Sequence, residues 1–62
     1  MYDAALPHLI ETALDLNEDN EVVELVGESI ADIWLRVGGF DPVVVERMHP
    51  VARRELMLCM NL

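Results

Sequence analysis

Residues 21–39 read EVVELVGESIADIWLRVGG, and this stretch decides the fold. Val23, Val26, Ile30, Ile33 and Val37 recur at alternating spacings of three and four, the period of one helix face. Val22 and Trp34 flank that stripe, and Trp34 reads as its core anchor. On a wheel of about 100° per residue these positions fill roughly a third of the circumference, the width of a core-facing side. Glu21, Glu24, Glu28 and Asp32 occupy the opposite side. Asp19 or Asn20 stands where an N-cap belongs, and Glu21 and Glu24 suit the positive end of the helix dipole. Gly38 and Gly39 then supply a left-handed stop. The spacing predicts a helix over 21–37. Gly27 and Ala31, four apart beside the stripe, leave room for a second helix to approach closely.

Upstream, Tyr2, Leu6, Leu9, Ala13 and Leu16 form another apolar stripe, widened by Ile10 and Leu14. A helix over about 4–16 follows, with Asp3 placed to cap it. Pro7 is late for a first-turn proline, which moves the start toward Leu6. NEDN at 17–20 ends the element. Downstream, Asp41-Pro42 pairs a cap residue with a proline at the first helical position. Val43, Val44 and Val45 would suit a strand, but a single strand has no partner, so helix is predicted over 42–48. Pro50 disfavours the helical state for His49, and a further helix runs over 50–61. One kinked helix from 42 to 61 is the alternative. The chain contains no internal repeat, low-complexity tract or linker. The expected fold is all-α: one domain over 1–62, a three- to four-helix bundle.

A chain of 62 residues builds a marginal core and needs a staple. Its single cysteine excludes an intrachain disulfide, and two histidines with one cysteine make a poor zinc set. Yet 53% of its residues are hydrophobic, above the usual range of about 45–50%. The excess is concentrated in RRELMLCMNL at 53–62. From Leu56 onward that helix is apolar nearly all round, so it should be surrounded. Homodimerisation is the simplest way to surround it, with Leu56, Leu58, Cys59, Met60 and Leu62 in the interface. Methionine suits such a contact because its side chain adapts to irregular surfaces.

The net charge is −8, from twelve acids and four arginines, with no lysine. Residues 1–35 carry nine of the acids and no cation; residues 36–62 carry three acids and all four arginines. This asymmetry concerns partners rather than fold. No cationic leader precedes an apolar segment, and no apolar run approaches the roughly 20 residues of a membrane helix. A lone thiol fits a reducing, cytoplasmic compartment.

Glu21, Glu24, Glu28 and Asp32 are helical neighbours about 5–6 Å apart, a spacing close to that of backbone phosphates. Only Arg36 is placed to neutralise the row, by pairing with Asp32. Leu25 and Leu35 lie on its margins as apolar anchors would. This pattern predicts a protein-binding face, Glu21, Glu24, Leu25, Glu28, Asp32 and Leu35, for a partner with a basic, nucleic-acid-binding surface. By analogy of size, charge and helicity alone, small acidic helical chains are common among phage-encoded inhibitors, including anti-CRISPR proteins and DNA mimics. The alternative is an accessory subunit that docks into a larger complex through its apolar C-terminal helix.

Other constellations read as structural. His8, Glu11, Asp15 and Glu18 step at three and four along the first helix, but Glu-x-x-His pairs on two helices are the usual di-metal pattern. They read as a solvated face. Arg47, Arg53 and Arg54 are expected to pair with Glu46 and Glu55, or with the acidic half of a neighbouring chain. Three arginines against −8 argue against direct DNA binding. Cys59 reads as a small core residue rather than a nucleophile. Ser29 is the only serine and there is no glycine-rich phosphate loop. No catalytic, metal or cofactor site is expected, and the chain reads as non-enzymatic.

Overall fold

A computed structural model describes residues 4–62, in which four helices follow in order: α1 Leu6–Ala13, α2 Asn20–Val37, α3 Pro42–Arg47 and α4 Pro50–Met60. Among the described residues there is no strand. Tyr2 and Asp3, expected in the first stripe and at its cap, lie outside the described residues.

Each boundary has a local cause. α1 is shorter than the stripe over 4–16, because it starts at the Leu6-Pro7 pair and stops at Ala13. Beyond it the acidic side chains bond the backbone directly. Asp15 accepts the N–H of Asn17 at 2.9 Å, and Glu18 accepts that of Asp19 at 2.9 Å. Such local bonds offer the chain an alternative to helix. α2 opens on Asp19, whose carboxylate accepts the N–H of Glu21 at 2.8 Å. It closes on Gly38 at φ 71°, a conformation that glycine adopts without steric cost. Asp41 caps α3 by accepting the N–H groups of Val43 and Val44. α3 and α4 are separate helices. Between them Met48 is extended at ψ 154°, and His49, at ψ 135°, is held out of the helical region as Pro50 requires of the residue before it. His49 caps α4 through Nδ1, which accepts the N–H of Val51 at 3.1 Å.

α2 is the central element. α4 packs along one flank and α1 along another. The buried core joins all four helices: Ala13 of α1, Val23, Ile30, Ala31 and Trp34 of α2, Val45 of α3, Met48 after it, and Ala52 and Leu56 of α4. Ile30, Leu56 and Val23 are its largest fully buried side chains, each worth about 1.5–3 kcal/mol on burial. The backbone also ties the ends together: the N–H of His49 donates to the carbonyl of Ala13 at 2.7 Å. The rings of Trp34 and Phe40 stack edge-to-face with centroids 5.6 Å apart, which pins the turn after α2.

The α2–α4 contact is set by Gly27. A Cβ placed there would stand 2.5 Å from the Ala52 carbonyl oxygen and 3.1 Å from its Cα. The two backbones therefore approach as closely as the missing side chain permits. Gly27→Ala should destabilise the fold by about 1–2 kcal/mol in urea unfolding, because overpacking outweighs alanine's better helix propensity of about 1 kcal/mol. Gly38→Ala meets no atom within 4 Å; it should cost about 1 kcal/mol through its left-handed φ alone, and Gly38→Asn should recover most of that. His49→Ala removes the α4 cap and should cost about 1 kcal/mol in the same assay.

Candidate functional site

The acidic row is where the wheel puts it. Glu21, Glu24, Glu28 and Asp32 are all exposed on α2, and Leu25 and Leu35 keep 65% and 59% of their surface in solvent. Folding nevertheless divides these residues between two concavities. Leu25, Glu28, Ser29, Asp32, Ile33 and Arg36 line an open hollow of about 420 Å³ along α2. Arg36 Nε donates to Asp32 Oδ2 there at 3.2 Å. Both side chains are largely exposed, so the pair is worth only a few tenths of a kcal/mol. Glu24 belongs elsewhere: with Val51, Arg54, Glu55 and Leu58 it lines a groove of about 300 Å³ between α2 and α4. Glu21 and Leu35 line neither. Ser29, Ile33 and Arg36 are the residues that sequence reasoning missed. Their signal is their spacing: 29, 33 and 36 are helical neighbours of Leu25, Glu28 and Asp32.

The C-terminal set of Leu56, Leu58, Cys59, Met60 and Leu62 separates by depth. Leu56 is fully buried against α2 within a single chain, so it is corrected from interface to core. Met60 is half-buried against that core. Leu58 and Leu62 are each 66% exposed, and Met57 joins them at the surface. Asn61 in the left-handed conformation ends α4, and the N–H of Leu62 returns to the Met57 carbonyl at 2.9 Å. Cys59, expected as a small core residue, is exposed. Its helix position overshoots the core edge: Ala52 and Leu56 already fill the contact with α2. The Cys59 thiol donates to Glu55 Oε1 at 3.7 Å. Partial desolvation, then the negative charge of Glu55 and its hydrogen bond, then Glu28, hold the thiol above its ordinary range.

The remaining constellations stay apart. α1 ends before Asp15, so His8, Glu11, Asp15 and Glu18 do not share one helix face. Among the described residues no group of three or more histidine, cysteine, aspartate or glutamate side chains is arranged to hold a metal ion. The expected pairing of Arg47, Arg53 and Arg54 with Glu46 and Glu55 does not form. The ion pair seen among the described residues is Arg36–Asp32. Spacing explains this: Glu46–Arg47 and Arg54–Glu55 are sequence neighbours, which point away from each other on a helix. Among the described residues no helix is long and apolar enough to cross a membrane. No protein-family model, curated protein or solved structure matches the chain.

A raised thiol pKa means less thiolate at a given pH, and thiolate is the reactive form. Glu55→Gln removes the nearest charge and should speed alkylation of Cys59 by iodoacetamide several-fold at pH 8. An unchanged rate would show that Glu55 does not hold the thiol.

Proposed function

We propose that this chain is a non-enzymatic, acidic protein-binding module that captures and blocks a partner through α2. The partner carries a basic surface of the kind that binds nucleic acid, and the carboxylates of α2 stand in for phosphates. The observation that supports this reading is the hollow formed by Leu25, Glu28, Ser29, Asp32, Ile33 and Arg36. It brings two carboxylates, Glu28 and Asp32, together with the apolar side chains of Leu25 and Ile33. An arginine or lysine from a partner would meet charge at its head and apolar contact along its stem. Glu21, Glu24 and Leu35 extend the face on either side. The likeness to phage-encoded inhibitors and DNA mimics rests on this charge display and on chain size. The site of action on this reading is the cytoplasm.

The same reading includes a homodimer in which the exposed part of α4 is covered by a second copy. A second reading, an accessory subunit docked into a larger complex, draws on one observation: Met57, Leu58 and Leu62 present apolar surface at the end of α4.

The two readings separate by salt and by residue. A tagged chain should retain its partner at low ionic strength and release it as salt screens the exposed charges. Glu28→Lys with Asp32→Lys should abolish capture, while Leu58→Glu should leave it intact. Capture that resists high salt and depends on Leu58 would replace the inhibitor reading with the accessory-subunit one.

A further inference from the structure

We infer that the groove of Glu24, Val51, Arg54, Glu55 and Leu58 is the self-association face, and that Arg54 of each copy pairs with Glu24 of the other across a two-fold axis. This rests on the homodimer reading and gives it a register. The argument begins with charge. Two copies that each carry −8 repel at long range. The contact face is therefore the one that brings cations, since acid set against acid in an interface is strongly unfavourable. Of the four arginines, Arg36 is engaged with Asp32 on α2. The other three lie on α3 and α4, so any favourable face includes that side of the molecule.

Within it the groove of about 300 Å³ combines the two requirements of a self-complementary contact. It holds both signs of charge, Arg54 against Glu24 and Glu55, around the apolar pair Val51 and Leu58. Arg54 has no ion-pair partner among the described residues of its own chain, although Glu24 and Glu55 share its groove. Leu58 is two-thirds exposed at the edge of this groove. An isologous contact repeats each pairing twice: Arg54 to Glu24, Glu24 to Arg54, and each Leu58 seated in the partner's groove beside Val51. A standard interface covers about 800 Å² per partner, roughly a fifth of the 4204 Å² that one chain exposes. The acidic hollow on α2 is lined by a different set of residues, so the dimer takes Glu24 from the partner-binding face but leaves the hollow itself open to a partner.

The test is sedimentation of the intact chain at micromolar concentration, with helicity checked by circular dichroism. The wild type should sediment as a dimer. Arg54→Glu and Glu24→Arg should each weaken it at least about tenfold, by setting like charges opposite one another. An equimolar mixture of the two variants should recover the dimer, because each chain then meets the opposite charge at both positions. Mixing cannot restore a pair lost within one chain, so recovery assigns the contact to the interface. A wild-type monomer overturns both this inference and the homodimer reading. A dimer indifferent to both charge reversals but lost in Leu58→Glu overturns the register alone and leaves the homodimer standing.

Discussion

The approach of α4 to α2 at Gly27 is the constraint on which the rest of the molecule depends. With no side chain at that position, the Ala52 backbone settles directly on the α2 backbone. That contact puts Leu56 in one buried core with Ala31 and Ile30 and leaves Leu58 of α4 toward solvent. A chain this small has few large buried side chains, so close packing over a short contact supplies what a broader core would supply in a larger domain. The bond from His49 to the Ala13 carbonyl then locks α1 and the start of α4 into the same arrangement.

The polar surface follows from how the four helices share α2. Three flanks of that helix are claimed: its apolar stripe by the core, the Gly27 side by α4, another side by α1. What remains is the carboxylate side. Its charges are barely neutralised within the chain, because the other arginines sit on α3 and α4. The protein thus presents an acidic helix on one side and a mixed-charge, apolar groove beside it. These are two surfaces of different chemistry, and the proposed reading gives them different occupants: a basic partner on the first and a second copy of the chain on the second.

Much of this was legible in the residues. Breakers and caps act within a few positions along the chain, and so Asp19, Gly38, Asp41 and Pro50 mark boundaries that the structure reproduces. The stripe of α2 is long enough that its period admits one reading. The end of α1 was less legible, since Leu14 and Leu16 continue the apolar pattern while Asp15 and Glu18 bond the backbone and stop the helix. Periodicity counts side chains; it does not register a carboxylate that competes for an N–H group. The candidate site was legible in its residue types and only partly in its grouping. Glu24 and Glu28 share one helix face, but they face different hollows once α4 is in place.

Sequence alone determined the all-helical class, the central role of α2, the caps of α2 and α3, and the concentration of charge on one half of the chain. Those properties are set by spacing and by local backbone chemistry, which do not need the rest of the fold. Tertiary structure decided depth along α4: Leu56 inside, Cys59 and Leu58 outside. A helix that is apolar nearly all round carries no internal signal for which side goes inward, as Leu58 against Leu56 shows, or for how far along its length the cover extends, as Cys59 shows on the same side as Leu56. Here the choice belongs to Gly27, on another helix 25 positions or more before those residues in the chain, because only there can a second backbone come close enough to be buried.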